Sequence, residues 1–237
     1  MTAPAPLHRT RLDRAVVGAT VAFLARNGVR GLEWDTLPRW AAPVVIVSSS
    51  ALYGAVMASY NGFAGDRPVM VAYGAVKVPL LFVATMLLAV PSFYVINLLL
   101  GVGDHFRRVW QALVDFQLAV SLQLAALVPI TLFLNLTNSD YRTAQAWSTL
   151  LFAGATWNAR RVLARTYAPL VAENPVHRPL LRLWFVLYAF VGIQMGWDLR
   201  PFVGSPDMAV QFFRDDIGNA YLEIFRVLVE AVRNATS

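Results

Sequence analysis

Five long apolar stretches, separated by shorter polar connections, dominate the pattern of hydrophobic and polar positions along the chain. Because an α-helix rises 1.5 Å per residue, about 20 apolar residues cross the ~30 Å hydrocarbon core of a membrane. The fourth stretch is strongly apolar only as far as Trp157 and is the weakest of the five. The pattern predicts an all-α fold, a polytopic membrane helical bundle of about five transmembrane helices. The five stretches are residues 41–60, 78–102, 109–135, 144–165 and 179–197.

The segments that flank these stretches divide the chain into three regions. Residues 1–40 form an N-terminal cytoplasmic arm, residues 41–197 the membrane domain, and residues 198–237 an outer loop with a C-terminal helix. In the arm, the apolar run 15–25 favours an interfacial helix over a signal peptide, because Asp13 interrupts the basic region and no convincing A-x-A cleavage site follows. The C-terminal helix is amphipathic, and its apolar face carries Tyr221, Phe225, Leu228 and Val232.

Small residues and prolines modify the expected helices. Ser50, Gly54 and Ala58 recur every four residues in the first stretch, which predicts a face that another helix can approach closely. Pro91 lies near the middle of the second stretch and Pro129 lies in the third. A proline ring removes one backbone hydrogen bond, so both positions predict a bend.

The composition supports a membrane protein. Hydrophobic residues make up 57% of the 237 positions and charged residues 14%, with a mean hydropathy of +0.53. A soluble domain has ~45–50% apolar and ~25% charged residues. The chain has no cysteine, which excludes a disulfide-stapled secreted domain. These values argue against a disordered chain and against a soluble globular enzyme.

The positive charge, +6 at pH 7, predicts an orientation and not a ligand. The 20 basic residues are arginines apart from Lys77, and no basic run is interleaved with aromatic residues, which argues against nucleic-acid binding. Cytoplasmic loops of membrane proteins are enriched in Lys and Arg. With the N-terminus inside, 13 of the 20 lie on the cytoplasmic side, which predicts an N-in, C-out topology. The other 7 are Arg67, Lys77, Arg142, Arg200, Arg214, Arg226 and Arg233.

Of the residues inside the predicted spans, Asp115 has the largest free-energy cost of insertion into the membrane. A charge at mid-bilayer costs ~2.5–3.5 kcal/mol on insertion scales, so it calls for a partner or a function. In the predicted topology, Arg160 and Arg161 return to the same depth on the next helix, and we expect an ion pair between Asp115 and one of them. Gln111 and Gln123 fall on the same helical face as Asp115. The cluster is interpreted as a structural clamp, with a proton or ion pathway as the alternative.

The segment 196–206, which reads G-W-D-L-R-P-F-V-G-S-P, leaves the fifth stretch at the predicted outer surface. Aromatic residues suit a membrane interface, and the glycines and prolines predict a defined turn. The segment is a candidate interaction loop, and the equal alternative is an ordered cap that tucks the C-terminal helix back against the bundle. Its candidate residues are Trp197, Asp198, Arg200, Pro201, Phe202, Gly204 and Pro206.

Motifs for catalysis or metal binding are nearly absent. The sequence contains no H-E-x-x-H, G-x-S-x-G or Walker loop, and His8, His105 and His177 lack a carboxylate at metal-ligand spacing. The G-V-G-D string at 101–104 matches part of an intramembrane aspartyl protease motif, but no second aspartate lies in an earlier span, so a turn is the better interpretation. No EF-type spacing supports calcium binding by the C-terminal aspartates. We expect no catalytic residue, no cofactor and no metal.

Two features carry a resemblance to known families. Residues 41–135 include K-V-P-L-L at 77–81 and V-P-S-F-Y at 90–94, and with five spans and a cytoplasmic arm they resemble the Yip-type five-span membrane proteins. The segment W-D-L-R-P-F-V-G-S-P at 197–206 also resembles the last loop of a group of bacterial multi-pass proteins. The Yip resemblance implies a non-enzymatic role in membrane organisation or partner assembly.

The sequence therefore predicts a non-catalytic scaffold or accessory subunit in a bacterial inner membrane. Its expected partners are the lipid bilayer and other membrane proteins. The alternative is a small transporter or channel component, with a polar route through Asp115, Gln123 and Arg160.

Overall fold

A computed structural model describes residues 40–61, 67–137, 140–204, 211–213 and 220–222. The helices of this part are connected by short turns, two of which are 3₁₀ turns at Ser59–Asn61 and Gly103–His105. Asp140 caps the fifth helix, where its carboxylate accepts hydrogen bonds from the amide and hydroxyl of Thr143. The helices are α1 (Ala41–Ala58), α2 (Arg67–Leu99), α3 (Phe106–Ala126), α4 (Val128–Thr137), α5 (Tyr141–Glu173) and α6 (His177–Asp198).

Four segments are long and apolar enough to cross a membrane, and they confirm the helical membrane fold in its general form. They are Ala41–Ala58, Pro68–Leu99, Gly103–Ala126 and His177–Asp198. The fourth predicted span, residues 144–165, lies inside α5, which is not among these four. Arg160, Arg161 and Arg165 lower the hydropathy of that helix.

The structure corrects the bounds of two predicted spans. Helix α2 begins at Arg67, so Lys77 lies inside a candidate span and not in an outer loop as predicted. The predicted span 109–135 is divided at Leu127 into α3 and α4. Pro129 is the second residue of α4, where a missing backbone N–H leaves no helical hydrogen bond unmade.

The most extensive helix contacts join α3 to α5 and α2 to α6. Both pairs are antiparallel, since Phe93 near the end of α2 packs on Trp184 near the start of α6, with ring centroids 5.2 Å apart. Two buried amides link other helices: Gln117 on α3 donates to the carbonyl of Phe82 at 2.8 Å, and Asn135 on α4 donates to that of Val56 at 2.8 Å. Each amide thus satisfies a backbone acceptor across a helix interface.

The predicted small-residue stripe lies where α1 crosses α2. A Cβ atom added to Gly54 would overlap the backbone carbonyl of Gly74, and one added to Gly74 would overlap Gly54 and Ala58. The two backbones are therefore in direct contact, as the stripe predicted.

The G-V-G-D string forms the turn between α2 and α3, as interpreted from the sequence. Gly101 has φ +72°, a left-handed conformation that favours glycine. The N–H of Gly101 donates to the backbone carbonyl of Leu98, and the N–H of Val102 donates to the backbone carbonyl of Asn97. These two carbonyls at the end of α2 are therefore satisfied. Helix α2 ends here because of this glycine.

Candidate functional site

A cavity of about 620 Å³ lies between α2, α5 and α6. It occupies the end of the bundle where α5 begins and α6 finishes, which we call the loop end. The segment 200–203 closes it there, and Met57 of α1 adds to its wall. The two main helix pairs, α2/α6 and α3/α5, meet around this space.

Small side chains create the space. Along α5, Ser148 and Ala153 face the cavity, and along α6 the corresponding positions are Gly192 and Gly196. A Cβ added to Gly196 would meet nothing within 4 Å, whereas one on Gly192 would touch Thr85 at 3.7 Å. The missing side chains of α6 therefore leave volume that none of the described residues fills.

Aromatic rings form much of the wall. Phe82 and Phe152 pack at 5.9 Å between centroids, and Trp157 and Phe185 at 6.1 Å. Tyr188 adds a fifth ring from α6. Such a wall favours contact with hydrocarbon or another apolar group.

Two hydroxyl groups of the wall are satisfied by their own helix, whereas the buried Nε1 of Trp197, another lining residue, has no hydrogen-bond partner among the described residues. The hydroxyl of Thr149 donates to the carbonyl of Gln145, and that of Thr156 donates to the carbonyl of Phe152, each at 2.9 Å. A water molecule in this part of the cavity would find few of the 2–4 polar partners that it needs.

The predicted interaction loop turns toward the bundle. Trp197, Arg200, Pro201 and Phe202 line the cavity, and Gly204 is buried. The Arg200 guanidinium lies 3.2 Å from the centre of the Trp197 ring, and its Nε donates to the Trp197 carbonyl. These described residues therefore face the bundle. The C-terminal helix, which the cap alternative places against the bundle, lies outside the described residues apart from 220–222. Asp198 is exposed and accepts a hydrogen bond from Gln194, and Pro206 lies outside the described residues.

Lys77 holds the segment 200–203, which we call the cap, and was missed by the sequence analysis as a site residue. Its side chain is fully buried, its Nζ donates to the carbonyl of Pro201 at 2.6 Å, and the same nitrogen lies 5.0 Å from the centre of the Phe212 ring. The Tyr141 hydroxyl also donates to Val203 at 3.4 Å. Lys77 is the chain's single lysine, and that rarity was the available signal.

The predicted polar cluster is assembled differently from the expected ion pair. Arg160 places its guanidinium 4.0 Å from the centre of the Trp157 ring, and Arg161 donates to Asn158 at 3.0 Å. Among the described residues, the salt bridge joins Arg108 to Glu173, and the expected pair of Asp115 with Arg160 or Arg161 is not found.

Part of the cluster does connect α3 to α5. The Asn158 amide donates to Oε1 of Gln123 at 2.8 Å, so Gln123 and Arg161 share Asn158 as a partner. Asp115 is half-buried, and Gln111 is exposed one turn away. A hydrogen bond between Gln123 and Asn158 thus links α3 to α5.

A second group of polar residues lies at the opposite end of the bundle, the histidine end. His105 and His177 are 72 residues apart in sequence, and their Nδ1 and Nε2 atoms are 2.9 Å apart. Beside them, Arg108 donates two hydrogen bonds of 2.6 Å to Glu173, which lower the pKa of that carboxyl group. In the part of the chain that the structure describes, no group of three metal-ligating side chains occurs.

Neither a family model, nor a curated protein, nor a solved structure matches this chain. The resemblance to Yip-type proteins and to the bacterial multi-pass group therefore stays a prediction. The function has to be argued from the cavity and its surroundings.

Proposed function

We propose that this protein is a non-catalytic integral membrane protein that binds the hydrocarbon chain of a membrane lipid in the cavity beneath the 200–203 cap. The observation that carries the proposal is the cavity itself, about 620 Å³ with aromatic and small apolar walls. Binding pockets for small molecules are typically ~300–1,000 Å³ and mostly apolar.

The position of the cavity supports a lipid chain as its occupant. Two of the helices around it, α2 and α6, are candidate membrane spans, so its surroundings in a bilayer are hydrocarbon. A lipid chain in an apolar space of this size makes dispersion contacts along the lining and requires no polar partner for its own atoms.

This role agrees with the accessory function expected from the sequence, because a protein that holds a lipid needs no acid, base or nucleophile. A transport route through Asp115, Gln123 and Arg160 has less support. Gln123 is bonded to Asn158, and Arg160 is stacked on Trp157.

We further propose that the protein lies in a bacterial inner membrane with its N-terminus in the cytoplasm. Lys77 lies within α2, so the outer side carries 6 basic residues and not the 7 counted from the sequence. The excess of basic residues on the cytoplasmic side, which supports this orientation, is therefore larger. Helix α5 has 33 residues and is about 50 Å long at 1.5 Å per residue. Its first half can cross the hydrocarbon while Arg160, Arg161 and Arg165 reach the inner interface, which would give five spans.

Filling the cavity tests the proposal. Gly196→Trp places a large ring in the cavity, and Gly154→Trp is its matched control, since Gly154 is also helical, also has open space at its Cβ, and does not line the cavity. Each protein is purified in mild detergent, washed extensively, and analysed by native mass spectrometry and lipid extraction.

We expect the wild type and Gly154→Trp to retain about one lipid per chain and Gly196→Trp to retain none, because the cavity holds a drug-sized volume. Equal retention by Gly196→Trp and the wild type would show that the lipid binds elsewhere. Loss of all lipid from the wild type during the wash would contradict the proposal directly.

A further inference from the structure

The histidine end contains a pair of rings that the proposed function does not use. His105 closes the 3₁₀ turn and is the N-cap of α3, and His177 is the first residue of α6. Their rings are nearly parallel, with centroids 5.2 Å apart and an interplanar angle of 23°. The hydrogen bond between them joins the α2–α3 turn to the start of α6.

His177 is enclosed more tightly than His105. It has no solvent exposure, the ring of Tyr167 meets it edge-on at 5.6 Å, and its Nδ1 has no hydrogen-bond partner among the described residues. His105 is half-buried. Burial therefore disfavours a positive charge on the His177 ring.

The charged and titratable groups around the pair come from each neighbouring element. Arg108 on α3 and Glu173 on α5 are bonded to each other beside the two rings. Asp104 in the turn and Arg178 on α6 are exposed, and residues 96–99 at the end of α2 include no titratable side chain. Of the two carboxylates in this set, Glu173 is already neutralised by Arg108, and Asp104 is exposed to solvent, which screens its charge from the two rings.

The number of protons on the two histidine rings determines whether the hydrogen bond between them can form. The bond needs one ring nitrogen that carries a proton and one that does not. In either tautomer, a pair with one added proton can keep one of its two bonded nitrogens as an acceptor, but a second added proton removes the acceptor nitrogen. Both histidines also lie at helix N-termini, where the helix dipole disfavours positive charge.

We propose that His105 and His177 form a pH-sensitive latch that holds the α2–α3 turn against the start of α6 and opens when the pair takes up its second proton. Histidine changes its charge between about pH 5 and 8, so the latch is closed at neutral pH and opens under mild acid. Because the two rings are coupled, the two protonation steps belong to the pair.

Single cysteines report the opening, because the chain has none of its own. Val102 in the turn is 3% exposed, and Leu100 is 51% exposed, so Val102→Cys is the reporter and Leu100→Cys the reference for thiol reactivity. The ratio of their maleimide labelling rates is measured from about pH 7.5 to about pH 5, which spans most of the histidine range.

Two backgrounds distinguish the latch from other acid effects. The double variant His105→Asn/His177→Gln puts amide groups near the bonded ring nitrogens and cannot titrate, and Asn is also a good N-cap for α3. His8→Asn removes the third histidine of the chain and leaves the pair intact. In the wild type and in His8→Asn we expect the ratio to rise roughly fivefold in acid, the factor for losing one ordinary hydrogen bond.

In the double variant the ratio should stay constant. A constant ratio in the wild type, or an equal rise in the double variant, would overturn the proposal. If the double variant does not fold, the ring signals of the two histidines in His8→Asn are followed by NMR. Two coupled titration steps support the latch, and two independent titrations near pH 6.5 overturn it.

Discussion

The contact between α1 and α2 at Gly54 offers the most direct test of the packing. A Cβ atom added at this position would lie 2.9 Å from the carbonyl carbon of Gly74 and 2.8 Å from Cγ2 of Val78. Ordinary van der Waals contact begins at 3.4 Å, so the helices must separate by at least 0.5 Å (3.4 minus 2.9), and the Gly74 oxygen lies nearer still. A backbone carbonyl cannot rotate away as a side chain can, so Gly54→Ala displaces a whole helix.

The expected magnitude follows from a comparison with Gly154→Ala. Both glycines lie in helix interiors, so the intrinsic gain of alanine over glycine, about 1 kcal/mol, is common to both variants and cancels. Gly154 has nothing within 4 Å of its added Cβ. The difference between the two variants is therefore the overpacking term, about 1–3 kcal/mol.

Thermal unfolding in detergent, followed by the fluorescence of the 7 tryptophans, measures this difference. For a chain of this size it corresponds to a midpoint roughly 3–9 °C lower for Gly54→Ala than for Gly154→Ala. Equal midpoints for the two variants would refute the close approach of α1 and α2.

Two further predictions concern the ends of the bundle. Lys77→Met removes the donor to Pro201, so we expect faster hydrogen exchange in residues 199–204 than in the wild type, and unchanged exchange there would contradict its role in holding the cap. The Glu173 pKa is lowered by hydrogen bonds from Arg108, so the stability contributed by this pair is present above the ordinary carboxyl pKa and is lost as the pH falls through the lowered value. The difference between the melting midpoints of the wild type and Glu173→Gln should be constant above about pH 4 and shrink as the pH falls from there through the lowered pKa, whereas a difference that stays constant would show that the charge is not responsible.

The helices were predictable because their signal is local. Apolar stretches long enough to span a membrane gave α1, α2, α3 and α6, and the spacing of Ser50, Gly54 and Ala58 gave the face of α1 that meets α2. Each of these features depends on residues within a few turns of one another. Hydropathy also placed the start of α2 too late, because the charge of Lys77 separates the apolar residues 68–76 from the rest of the helix.

The histidine pair and the cavity were not predictable, because each depends on distant segments. His105 and His177 are 72 residues apart in sequence, and only the antiparallel packing of α2 with α6 brings their helix ends together. The cavity is a property of three helices at once. Gly192 and Gly196 indicate small residues on α6, but the sequence does not show that α5 leaves the space beside them open.

The expected pair between Asp115 and an arginine illustrates why side-chain complementarity is a poor guide in this chain. Three of its long-range polar contacts, from Gln117, Asn135 and Lys77, end on backbone carbonyls of Phe82, Val56 and Pro201. A carbonyl is present at every residue, so such contacts need no complementary residue that a sequence could reveal. In an apolar environment each donor must still find an acceptor, and the carbonyl of a neighbouring segment is the nearest one available. These three polar residues therefore fix how their segments pack by donating hydrogen bonds to the main chain. Packing of this kind does not require polar side chains around the cavity, where small and aromatic residues are found.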